Sequence, residues 1–140
     1  DDKWLTPLAE TLKGLGSQKA WVVHGSDGLD EITTTGPTSV AALEDGTVRR
    51  FEVSPEDAKL PIAKPEDLRG GSPEENAIAM KALLAGDKSA YRDIVVLNSA
   101  AGLIVAGQAE NLENGARMAE QAIDSGKAND ALNKLVEISQ

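Results

Sequence analysis

Cysteine is absent from the 140 residues, which excludes a disulfide framework and any thiolate metal site and fits a reducing compartment. Aromatic residues make up only 3%, so the core falls to Ala, Val, Leu and Ile, with Trp4 and Trp21 expected to add packing. There is a single histidine, His24. Without a cysteine or a second histidine beside it, a zinc shell has too few soft ligands to close. Positive charge is also scarce, with 14 Lys and Arg against 23 Asp and Glu for a net charge of −9. No basic cluster offsets the repulsion from phosphate, which argues against a nucleic-acid groove and leaves most acids as a solvated surface. The most apolar run, residues 94–107, is broken by Asn98 and Ser99 and is too short to span a bilayer. With no signal peptide at the start, neither a membrane protein nor an exported one is expected. A cytoplasmic protein is.

What remains suits one α/β domain over residues 1–140, long enough to bury one core. "DDKWLTPLAETLKGLG" reads as a helix with Leu5, Leu8, Ala9 and Leu12 on one stripe. "KAWVVHG" is a short continuous apolar run, the pattern of a strand buried on both faces of a mostly parallel sheet. Asp45-Gly46 between two β-rich runs predicts an antiparallel hairpin, so the sheet should be mixed. From Ser54 onward the chain turns helical. "SPEDAKL" and "SPEENAIAMKALLAGD" each offer Ser at the N-cap, Pro at the first helical position and an acid three residues after the Ser. "SAYRDIVVLNSAAGLIVAGQA" is apolar nearly all round and predicts a helix within the core. Two amphipathic helices, divided at Ser125-Gly126, close the chain. A chain opening on a helix without an initiator Met, with few strands for so many helices, suggests the later part of a longer α/β protein.

Chemistry concentrates in "VVHGSDGLDEITTTGPT", residues 22–38. Open α/β sheets place ligands beyond the carboxyl ends of strands, where this loop begins. Gly25 and Gly28 allow unusual backbone angles. Asp27, Asp30 and Glu31 offer hard oxygen ligands of the kind Mg2+ takes, usually together with waters and a substrate phosphate. Adjacent side chains on extended backbone face opposite ways, so Asp30 and Glu31 suit two ions, or one ion reached by one of them. A plain turn is the alternative. His24 is open between general base, phosphate contact and structural histidine. "LRGGSPEENA" imitates a phosphate loop but lacks the Walker and dinucleotide spacings and reads as the start of a helix. Asn98, in an apolar helix, needs a hydrogen-bond partner wherever it is buried.

Five blocks in one order make this pattern resemble the anthranilate phosphoribosyltransferase family, specifically its C-terminal part. They are "LKGLGSQKAWVVHG" running into "SDGLDEIT", the acid-Gly hairpin, "EDLRGGSPEENA", "VLNSAAGLIVAG" and "GARMAEQAIDSGKANDALNKL". Only Ser99 and Gly102 depart mildly, standing where the family usually has alanines. The resemblance implies a nucleoside phosphorylase/phosphoribosyltransferase-like α/β fold with a helix-rich C-terminal half. It implies transfer of phosphoribosyl from 5-phosphoribosyl 1-diphosphate to anthranilate, releasing pyrophosphate. It further implies Mg2+ as cofactor, held by Asp30 and Glu31, and no catalytic residue within these blocks. The family's diphosphate-binding loop, its anthranilate contacts and the N-terminal helical domain that makes its homodimer have no counterpart in the 140 residues, so this stretch alone is expected to be inactive. Two other readings keep the same scaffold: a ligand- or nucleic-acid-binding relative without transferase activity, and a pyrimidine nucleoside phosphorylase.

Overall fold

In the computed structural model, which describes residues 1–139, the most buried strand is β2 (Thr38–Glu44), flanked by β1 (Lys19–Gly25) and β3 (Thr47–Val53). The order is β1-β2-β3 and both pairings are antiparallel, with Val22 opposite Ala41 and Ala41 opposite Arg50. Cβ atoms alternate along a strand, so β2 feeds two cores at once. Ala41 faces helix α1 (Leu5–Gly14), where it meets Leu5 and Ala9, while Val40 and Ala42 face the other way. There they join Val96, Leu97, Ala100 and Ala101 of α3 (Ala90–Val105), and Leu112, Ala116, Ala119 and Ile123 of α4 (Leu112–Asp124). The result is an α/β fold with the sheet between α1 and a helix-rich C-terminal half. Among the described residues no helix is long and apolar enough to cross a membrane.

The hairpin forms where Asp45-Gly46 predicts it, both residues taking positive φ (49° and 72°) as a tight two-residue turn requires. The Ser72-Pro73 signal also holds, opening α2 (Pro73–Leu84) with a reciprocal cap between Ser72 and Glu75. That cap and Asn76, which bonds both N–H and C=O of Gly71, occupy the polar groups next to the helix start. The segment is therefore a braced helix start, not an open phosphate cradle.

Four expectations need correction. The β1 strand is only half-buried, and its one neighbour among the described residues is antiparallel β2, so the sheet here is not mixed. A continuous apolar run marks a strand that packs well but not which strand lies beside it. The Ser54-Pro55 signal yields only a 3-10 turn, Pro55–Ala58, because Lys59 goes left-handed and Pro61 blocks any continuation. Helix α3 is buried along one side while Ser99 and Gly102 are exposed. Trp4 and Leu8, expected in packing, are 56% and 50% exposed, leaving Leu5 and Ala9 to seat α1. Trp21 does pack, edge-on to Phe51 at 5.3 Å.

Helices α3 and α4 are fixed by two contacts. Arg92, buried at the start of α3, pairs with Asp124 at the end of α4 at 2.8 Å and holds that carboxyl below its ordinary range. In the middle, Gly115 lies so close to α3 that an added Cβ would sit 2.8 Å from the Ala100 Cα. Backbone cannot yield as a flexible side chain would. In Gly115→Ala, overpacking of about 1–3 kcal/mol should outweigh a helix-propensity gain of up to about 1 kcal/mol. A urea melt should therefore show a net loss of stability, and an unchanged or raised midpoint would refute the tight crossing.

Candidate cation site

The loop from Ser26 to Pro37 joins β1 to β2 and is closed at its base by the Ser26 N–H donating to the Pro37 carbonyl at 3.0 Å. Its first turn is tight, with the Gly28 N–H reaching the Gly25 carbonyl and the Gly25 N–H reaching the Leu29 carbonyl, each at 2.9 Å. Gly28 takes the positive φ expected of it; Gly25 does not, and supplies space instead. A Cβ on Gly25 would meet the Asp27 carboxylate at 2.6 Å and Thr33 at 3.2 Å.

Asp27, offered by the sequence as a possible ligand, is committed inward. Its Oδ2 accepts from the hydroxyls of Thr33 (2.5 Å) and Thr35 (2.7 Å), and its Oδ1 accepts from the Leu29 N–H (3.1 Å). Partial burial works against its charge, but these donors outweigh that and lower its pKa from the ordinary aspartate value. The Thr33 N–H donates to Thr38 Oγ1 at 3.1 Å, and the Ala63 N–H donates to the Thr34 carbonyl at 2.8 Å. Ile32, Thr33 and Thr34 are fully enclosed. Asn98 of α3 finds its partner here, bonding both the N–H and the C=O of Ile32 at 3.0 and 2.8 Å. Nothing in the sequence pointed to that pairing across 66 positions.

Asp30 and Glu31 stand differently. Both are exposed, and neither has a hydrogen bond or ion pair among the described residues. They lie in bends rather than on a strand, so strand alternation does not decide which way they point. His24 is half-buried and does not join them. It lies on the α1 side of the sheet, where the Ser39 hydroxyl first of all, and then Arg50 and His24, lower the pKa of Asp2 in spite of an opposing desolvation. The structural reading of His24 gains from that placement.

Two free carboxylates on a braced turn have the donor chemistry of a hard divalent cation. Among the described residues, however, no three His, Cys, Asp or Glu side chains form a metal cage. Two carboxylates alone would suit only a cation that, like Mg2+, retains waters and takes phosphate oxygens as well, and not a closed structural ion.

The Asp27 network gives a signed pH dependence. A carboxyl whose folded pKa is depressed stabilises the fold above its unfolded pKa, and that contribution is lost as pH falls through the folded value. The stability advantage of the native chain over Asp27→Asn should be full at neutral pH and shrink below a pH of about 4. Denaturation at several pH values checks this, and an advantage that grows on acidification would contradict the network.

The family model of the "Glycosyl transferase family, a/b domain" matches residues 1–129. The chain is 61% identical over 136 residues to anthranilate phosphoribosyltransferase of Rhodospirillum rubrum, covering 97% of this chain and 39% of that protein. Among solved structures, anthranilate phosphoribosyltransferase from Thermus thermophilus superposes with a TM-score of 0.88 at 36% identity, over 98% of this chain and 40% of that one. The Saccharomyces cerevisiae enzyme in complex with PRPP and Mg gives a TM-score of 0.72 at 25% identity, over 81% and 33%. The chain thus spans about two-fifths of the length of the curated relatives it matches (39% in the first). With nearly its whole length matched by that model of the a/b domain, the chain belongs to the glycosyl transferase family.

Proposed function

We propose that these residues are the C-terminal α/β segment of an anthranilate phosphoribosyltransferase, a single domain that bears the enzyme's Mg2+ ligands. In this reading the whole protein moves phosphoribosyl from 5-phosphoribosyl 1-diphosphate to the amine of anthranilate and releases pyrophosphate, a step of tryptophan biosynthesis in the cytoplasm. The observation that carries it is the Asp30-Glu31 pair, without a bonded partner among the described residues, on a turn held by Asp27 and Asn98, in a chain so similar to enzymes of that name. A relative solved with both PRPP and Mg supports the same pairing of cation and phosphate chemistry.

Breaking the bond at the ribose C1 leaves negative charge on the departing diphosphate. Asp30 and Glu31 would hold the cation by their carboxylates, while Asp27 keeps the turn closed behind them. A cation such as Mg2+ held there would supply positive charge to that leaving group. In this reading the diphosphate loop, the anthranilate contacts and the dimer-forming helical domain lie outside these 140 residues. A homodimer is the assembly proposed for the whole protein.

In the full-length enzyme, Asp30→Asn with Glu31→Gln should lower the rate by about 100- to 1,000-fold, the scale of losing one directed electrostatic contact to a developing charge. A near-normal rate at saturating Mg2+ would remove the pair from the reaction. The isolated 140-residue chain should form no phosphoribosylanthranilate, and measurable product would show that it carries the missing contacts after all.

A further inference from the structure

Ile32 follows Glu31 directly and is 2% exposed, outside any strand. A buried peptide unit with no ladder to join must place its N–H and C=O elsewhere or bear a desolvation cost. Asn98 takes both, with Oδ1 accepting from the Ile32 N–H and Nδ2 donating to the Ile32 carbonyl. The second hydrogen on Nδ2 goes to the Ile94 carbonyl at 2.9 Å, one turn back on α3. The amide is therefore oriented without ambiguity, since a flip would set its oxygen against two carbonyls.

We propose that Asn98 is a positioning residue for the cation site, fixing the backbone at the Glu31–Ile32 junction and with it the presentation of Asp30 and Glu31. This inference rests on the reading of those two carboxylates as cation ligands. Asn is a poorer helix former than Leu, and its neighbours Val96, Leu97, Ala100 and Ala101 are all buried apolar residues. What Asn adds is a two-point grip on the chain one residue beyond Glu31. The other side of the turn is gripped by Asp27 through Leu29 N–H, Thr33 and Thr35. Residues 28–31 are thus held from both ends, and their free carboxylates sit on a frame that loses little freedom when an ion binds. Ligands oriented by their supporting hydrogen bonds hold metals more tightly than unsupported ones.

The test uses the full-length enzyme and three variants: Asn98→Leu, which removes both bonds, Asn98→Asp, which keeps only the acceptor, and Asp30→Asn as a ligand control. Mn2+ affinity is measured by electron paramagnetic resonance with saturating 5-phosphoribosyl 1-diphosphate, beside the melting temperature in EDTA. Both Asn98 variants should weaken Mn2+ by about 10- to 100-fold, the usual effect of losing a residue that orients a metal ligand. The Asn98→Asp enzyme serves if Asn98→Leu does not fold. Should the Asn98 variants melt lower yet bind Mn2+ normally while Asp30→Asn binds it weakly, Asn98 is structural and the inference falls alone. Should Asp30→Asn itself bind Mn2+ normally, the ligand reading falls and takes the inference with it.

Discussion

The peptide unit of Ile32 has to be satisfied inside the core, and much of the local architecture follows from how that is done. The side chain of Ile32 packs with Val40, Ala42 and the apolar face of α3, so the chain cannot turn outward there to reach water. Backbone groups in that position are nearly always bonded, because an unmade bond forfeits hydration without return. The grip by Asn98 couples the loop after β1 to a helix that starts 58 residues beyond Ile32 in sequence. It also divides the loop. Everything from Ile32 to Thr34 is enclosed, and everything from Ser26 to Glu31 lies at the surface.

Signals confined to a few neighbouring residues were legible in the sequence. Asp45-Gly46 made its hairpin, and Ser72, Pro73 and Glu75 made their capped helix start. The same Ser-Pro-acid signal at Ser54 gave one 3-10 turn, because Pro61 decides the outcome from outside the motif. Whatever depended on distant partners was not legible. The apolar run of β1 says nothing of its neighbours, and α1 shows Leu8 to solvent although its spacing matches that of Leu5 and Ala9. At the site, the acidic pair and the need of Asn98 for a partner could be seen in advance. The identity of that partner, and the diversion of Asp27 to Thr33 and Thr35, required the loop to close first.

Exposure of two carboxylates is by itself uninformative, since water solvates them at no cost to the fold. Asp45, Glu56, Glu66, Asp87 and Glu110 also lie in turns or loops without a bonded carboxylate among the described residues, so what sets the pair apart is its place on a loop held by another acid, Asp27, and an amide, Asn98. Asp57 and Glu75 accept from the N–H groups of Ser54 and Ser72, Asp67 accepts from that of Lys64, and Asp27 accepts from Leu29. Each closes a turn by answering a backbone donor. Glu44 and Asp124 are answered by Lys19 and Arg92. Asp30 and Glu31 close nothing and meet no cation of the chain among the described residues.

A flexible tip bearing two free acids would be no more than a solvated loop, and a rigid turn whose acids were all consumed would have nothing left to bind with. The loop between β1 and β2 combines the useful half of each. Its stiffness comes from uncharged donors and one sacrificed carboxylate, Asp27, so no positive side chain has to be brought near the tip to hold it. That choice leaves the negative potential of Asp30 and Glu31 uncancelled. On the proposed reading, so few donors would suffice. An ion that arrives already carrying water and phosphate oxygens needs from the protein only a fixed pair of charges, and a closed cage would shut out the phosphate it has to share.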